Sequence, residues 1–146
     1  MTFRNAEESH AHSLETLNMF QEYDDYMESI STVLDLGCGT GADLIWWATR
    51  TTRDERQTPL NIKCVGVDLN KQFDKKITNV IFQDQDFETP ITKIYTKPYD
   101  FLWCHDAFQY VVDPLTTLAS WKSIASKNAA LCIVVKQTTN FEQKRQ

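Results

Sequence analysis

The stretch Val33-Leu34-Asp35-Leu36-Gly37-Cys38-Gly39-Thr40-Gly41 decides the fold. Apolar residues around a single Asp run straight into three glycines at alternate positions. An apolar run broken by Gly-x-Gly-x-Gly predicts a buried strand, a tight turn and then a helix. Glycine lets the backbone take positive φ and lets a ligand come close to the main chain. The helix that follows turns its free N–H groups and positive dipole end toward that ligand. The pattern therefore predicts a nucleotide-type pocket at the carboxyl end of a strand.

Working outward, apolar residues at Leu14, Leu17, Phe20, Tyr23, Met27 and Ile30 recur every three or four positions. That spacing predicts one amphipathic helix over about residues 12–30, capped by Ser9 or Ser13. Strands are expected at 32–36, 62–67, 80–82, 99–104 and 129–135. Helices are expected at 41–50 and from Asp113-Pro114, an N-cap followed by Pro in the first turn, with Leu115, Leu118, Trp121, Ile124 and Ala125 as its apolar residues. Residues 51–60 read as a loop, 71–78 as a short polar helix or loop, and 83–97 carries no clear pattern. Alternating strands and helices predict a Rossmann-like, doubly wound α/β fold with a mostly parallel sheet in order 3-2-1-4-5. Such sheets bind ligands beyond the carboxyl ends of their strands. The division expected is a single domain over 1–146: an N-terminal helix (1–30), a ligand-binding core (31–136) and a polar tail (137–146).

Composition narrows the function. Fifteen Lys and Arg against twenty Asp and Glu give a net charge of −5, which argues against a nucleic-acid partner. No stretch approaches the roughly 18 apolar residues of a membrane span, and no apolar signal core opens the chain, so a cytoplasmic protein is expected. Cys38, Cys64, Cys104 and Cys132 form no Cys-x-x-Cys pair. They read as buried small hydrophobes in a reducing compartment rather than as a metal site.

The second strand ends at Asp68, thirty-one residues after Gly37. An acidic residue at that place in a dinucleotide fold accepts from ribose hydroxyls, at a usual interval of about 20 residues. The loop 51–60 accounts for the longer interval here. A dinucleotide pocket wants Gly-x-Gly-x-x-Gly, whereas this chain has Gly37-x-Gly39-x-Gly41 followed by Ala42-Asp43. An Asp at the helix start repels a pyrophosphate and tolerates a cationic ligand.

These motifs resemble those of class I S-adenosyl-L-methionine-dependent methyltransferases, in the small-molecule branch. VLDLGCGTG is similar to the family's first motif and Val65-Gly66-Val67-Asp68 to its second. NVIFQDQDFETP, from Asn79, and YDFLWCHDAFQYVVDP, from Tyr99, are similar to its third and fourth. The resemblance spans about residues 30–136. It implies S-adenosyl-L-methionine as cofactor, with Asp35, Gly37, Cys38, Gly39, Gly41, Asp68, Leu69, Asp86, Phe87 and Cys104 as binding residues. Within that set Asp68 would hold the ribose, Asp86 the adenine amino group and Phe87 the ring. It also implies methyl transfer to a small-molecule acceptor. The family's last strands have no counterpart here, so either the chain is a fragment, or the sheet is naturally shortened, or the apolar fifth strand is covered by a second copy or a partner chain. The alternative is a non-catalytic subunit or a fragment that binds the cofactor and needs a partner.

The catalytic group is less marked. His105 and Asp106 directly follow the fourth strand, where a general base would face the methyl donor, although a strand-end His is more often only a structural hydrogen bonder. Tyr110 is the third candidate, on the acceptor side. His10 and His12, two apart on a helix, point to different faces and do not make a metal pair.

Overall fold

A computed structural model describes residues 6–69, 76–91 and 97–135. The elements are α1 (Ala6–Gln21), α2 (Asp24–Ser29), β1 (Thr32–Leu36), α3 (Ala42–Ala48), β2 (Lys63–Asp68), β3 (Val80–Asp84), β4 (Tyr99–His105), α4 (Pro114–Ile124) and β5 (Ala125–Val134), with a 3₁₀ turn at Phe108–Tyr110. The five strands form one sheet in the order β3-β2-β1-β4-β5, and every pairing is parallel. This is the expected Rossmann-like α/β sheet.

Alternation along the central strands sorts the core into two layers, because successive side chains of a strand point to opposite faces. Val33, Cys64, Phe101 and Trp103 face one way and pack with Leu17, Met27, Ile30, Leu44 and Trp47 from α1, α2 and α3. Leu34, Leu36, Val65, Val67, Leu102 and Cys104 face the other way, onto Trp121 and Ile124 of α4. A parallel strand is covered on both faces and so reads as a near-continuous apolar run. All five residues of β1 are buried.

Four expectations need correction. The single helix over 12–30 is two helices. The end of α1 tightens, with Glu22 N–H donating to Met19 O and Tyr23 N–H to Phe20 O. The chain then turns, which lets Leu17, Met27 and Ile30 reach one core while Tyr23 points outward at 63% exposure. Neither Ser9 nor Ser13 caps a helix start, since α1 begins at Ala6 and Ser13 is fully buried inside it. On α4 the expected cap is present, Asp113 accepting from Thr116 N–H, but Leu115 is 81% exposed and only Trp121 and Ile124 of the expected apolar face are buried. The fourth correction concerns β5, which starts at Ala125 directly after α4. A register irregularity between Tyr99 and Phe101 takes up the extra residues. As an edge strand β5 is half-buried rather than covered on both faces, and Leu131 is 44% exposed.

The helix or loop expected at 71–78 falls mostly on residues 70–75, outside the described residues, as does the polar tail 137–146. Among the described residues no helix is long and apolar enough to cross a membrane.

Candidate active site

Every element of the site lies at the carboxyl edge of the sheet. β1 runs into the glycine loop, and Gly37 and Cys38 both donate their N–H groups to Val67 O, at 2.8 and 3.1 Å. The turn closes with Gly41 N–H on Cys38 O at 2.9 Å. Gly37, Gly39 and Gly41 have φ of 78°, 54° and 83°, a region that L side chains enter at a cost. Two of the three glycines serve different ends. A Cβ on Gly37 would stand 2.8 Å from Ala107 Cβ, whereas one on Gly39 would meet nothing within 4 Å. Gly37 is therefore required by packing, and Gly39 presents its main chain to open space.

Below the loop, Gly66 of β2 leaves room for α3. A Cβ there would lie 2.2 Å from Leu44 Cδ1 and 2.8 Å from Cys38 Sγ. The loop is also tied to β2 by Asp68, whose Oδ2 accepts from Gly39 N–H at 2.8 Å. Leu69, the next residue, is 62% exposed beside it.

Three carboxylates surround this loop. Asp35 is buried in β1, and its Oδ2 has no hydrogen-bond partner among the described residues. Burial pushes its carboxyl well above the usual range, helped by the charges of Asp43 and Asp68. Asp43, at the start of α3, is held by three donors. Its Oδ1 accepts from Ser13 Oγ and pairs with His10 Nδ1, both at 2.7 Å, and its Oδ2 accepts from Trp103 Nε1 at 2.9 Å. This acidic mouth favours a ligand with cationic groups and disfavours a pyrophosphate.

Phe87 and Asp86 lie in the loop after β3. The Phe87 ring sits against Gly37 and 6.2 Å from the Trp121 ring, and its carbonyl accepts from Trp121 Nε1. Asp86 Oδ1 accepts from Glu88 N–H at 2.9 Å. Cys38 is buried under the loop, and Cys104 is fully buried with its side chain in the α4 layer, so Cys104 can meet a ligand only through its main chain. Burial raises both thiols.

The catalytic candidates separate. His105 is 6% exposed and stacks on Trp103, with ring centroids 5.8 Å apart and planes 8° apart. Its Nε2 lies 3.0 Å from Nδ1 of His12, which α1 brings to the end of β4. Asp106 has φ of 59°, donates its N–H to Val134 O and accepts from Gln109 Nε2. Tyr110 is 38% exposed in the 3₁₀ turn. Sequence reasoning missed His10, His12, Ser13 and Trp103 as members of this polar cluster.

A family model described as a methyltransferase domain matches residues 27–143. The chain belongs to that family. The methyltransferase domain is similar in fold to the plantazolicin methyltransferase BpumL solved with SAH, at 18% identity and TM-score 0.56, covering 76% of this chain and 43% of that one. The related plantazolicin methyltransferase BamL, solved with a triazolic desmethylPZN analog and SAH, matches at 20% identity and TM-score 0.58, over 79% and 43%. The sugar N-methyltransferase KedS8 from Streptoalloteichus sp ATCC 53650 matches at 14% identity and TM-score 0.59, over 90% and 49%. The domain thus spans less than half the length of each of these structures. No curated protein matches it significantly.

Proposed function

We propose that the domain binds S-adenosyl-L-methionine and serves methyl transfer to a small-molecule acceptor. The observation that carries this reading is the glycine loop, which is open above Gly39, anchored by Asp68 and flanked by the unpaired carboxylate oxygen of Asp35. The residues present fit the cofactor. A sulfonium ligand bearing an amino group supplies positive charge to an acidic mouth, and its ribose hydroxyls suit a carboxylate at the end of β2. When bound, the cofactor supplies a methyl group activated by the positive sulfur.

The protein's own contribution is to hold and orient. Asp68 fixes Gly39 so that the main chain is presented at short range. Leu69 and Phe87 offer apolar surface beside it, and Asp86 offers a carboxylate for an exocyclic amine. An ammonium group reaching Asp35 would satisfy its orphaned oxygen and favour the ionised form that burial disfavours. Fixed placement of two reactants removes much of the entropic part of a barrier. SAH in the BpumL and BamL structures supports the cofactor choice. The buried, unbridged Cys38, Cys64 and Cys104 support a reducing compartment such as the cytoplasm.

Titration calorimetry against S-adenosylhomocysteine and, separately, NAD tests the reading. Heat with the first and none with the second is expected. Binding of NAD alone, or of neither, overturns it.

A further inference from the structure

α1 delivers a histidine to the carboxyl end of β4, beside the glycine loop, in a setting suited to a base. His12 is exposed, and its Nδ1 lies 3.0 Å from Nε2 of the buried His105. His105 is fixed in turn by stacking on Trp103, whose Nε1 is bonded to Asp43. Asp43 also accepts from Ser13 Oγ and pairs with His10 Nδ1 on the same helix. The helix is thus pinned at His10, His12 and Ser13 to groups that surround the glycine loop. β1 and β4 pair Asp35 with Trp103, which sets His105, two residues on, level with the start of that loop.

A histidine held at one ring nitrogen by a buried acceptor has its tautomer and its orientation chosen. The other nitrogen is then left with a lone pair. A base oriented by a third group is the usual arrangement for activating a weak nucleophile. We infer that His12 is the general base of the domain and that His105, named from sequence as the base, is its positioning residue. His12 Nδ1–H donates to His105 Nε2, and His12 Nε2 takes the proton of the methyl acceptor. The O–H or N–H bond of the acceptor breaks, its proton goes to His12 Nε2, and the electron pair left on the acceptor attacks the methyl carbon as the methyl–sulfur bond of the donor breaks and its electron pair returns to sulfur. The imidazolium then returns its proton to water on the exposed side. An acceptor with an ionisable hydroxyl or amine is the class this arrangement serves.

This inference rests on the methyl-transfer reading above. It is tested by long-range ¹H–¹⁵N spectra of the full chain labelled at histidine, recorded at about pH 8, above the usual histidine range. The expected result is a His12 resonance pair with Nδ1 protonated and Nε2 bare, the reverse of the tautomer that free histidine prefers. In His105→Ala the Nε2 resonance should shift to the protonated position. In His105→Gln, whose amide oxygen can still accept, it should stay bare. A protonated Nε2 in the parent protein overturns the assignment, and so does a His12 tautomer that ignores His105→Ala. If that variant does not fold, the parent spectrum and His105→Gln decide. Calorimetry of the parent with S-adenosylhomocysteine is run on the same samples. Absent binding refutes the methyl-transfer reading, whereas the tautomer alone decides the role of His12.

Discussion

Replacing Gly39 and Gly66 by alanine separates the two uses to which this sheet edge puts glycine. Gly39 has φ of 54° and would place a Cβ in open space, with no atom within 4 Å. Its cost to the fold is therefore conformational only, about 1–2 kcal/mol for a left-handed residue, partly offset by lost freedom in the unfolded chain. A net loss of about 1 kcal/mol lowers Tm by about 3 °C in a domain of this size. Gly66 reverses the balance. Its Cβ would overlap Leu44 Cδ1 at 2.2 Å and crowd Cys38 Sγ at 2.8 Å. Both neighbours are buried, so over-packing of about 1–3 kcal/mol follows, or about 3–10 °C. Ligand affinity should sort the other way. Gly39→Ala puts a methyl group where the ligand meets the main chain and should weaken S-adenosylhomocysteine at least about tenfold, or about 1.4 kcal/mol. Gly66→Ala should leave the affinity of the folded protein within about threefold, under about 0.7 kcal/mol. Thermal melts and titration calorimetry on the two variants give all four values. A Gly39→Ala protein that binds with parental affinity refutes the placement of the cofactor over this loop.

Asp68→Ala removes the acceptor of Gly39 N–H; loss of a hydrogen bond to a charged group should weaken S-adenosylhomocysteine about tenfold to a hundredfold by calorimetry. Asp43→Ala removes the partner of His10 and Trp103 and leaves Ser13 only its bond to His10 O, and should cost about 1–3 kcal/mol. Hydrogen exchange in α1 should accelerate with it, and unaltered exchange there would count against the tether. Asp35 titrates well above its usual value because it is buried, with Asp43 and Asp68 adding to the effect. The native state thus keeps a proton that the unfolded state has lost, and stability should fall as pH rises from the ordinary Asp range toward the raised value. Asp35→Asn should flatten that part of a urea-midpoint profile, and an identical slope in the variant would contradict the burial argument. The outer edge of β5, with Leu131 and Val135 about half exposed, should make the isolated domain associate with rising concentration in light scattering; a monomer throughout the range would rule that out.

The fold was legible because its determinants are local. Three apolar residues around Asp35, ahead of three glycines, mark β1 and the loop without any knowledge of the rest of the chain. Asp113-Pro114 marks the start of α4 for the same reason, since a cap and a fixed φ act within one turn. The misreadings occur where tertiary geometry overrides periodicity. Residues 12–30 carry a helical repeat throughout, yet the chain turns near Tyr23 to bring α2 onto the sheet. Leu115 fits the apolar stripe of α4 by spacing, but the helix docks through Trp121 and Ile124 and leaves its first turn outside. The length of β5 was hidden because Ser126, Lys127 and Asn128 do not look like strand residues, and they extend the strand through the irregular pairing with β4.

The site divides along the same line. Residues at the ends of β1 and β2 could be named because each motif carries its own chemistry. The cluster around Asp43 could not, because it is assembled from α1, α3 and β4, whose members lie 30 to 93 positions apart. Nothing in the spacing of His10 and His12 indicates that one will meet an aspartate and the other a buried histidine. The two-residue offset that ruled out a shared metal is what lets one helical turn reach both groups. His10 and Ser13, three apart on the helix, converge on Asp43, while His12 diverges toward β4. A helix held at three polar points fixes the position of its exposed imidazole more firmly than one docked by Leu17 and Phe20 alone, because apolar packing is non-directional and hydrogen bonds are not. That is a reason for polar pairing at a helix–sheet contact that hydrophobic burial would otherwise secure.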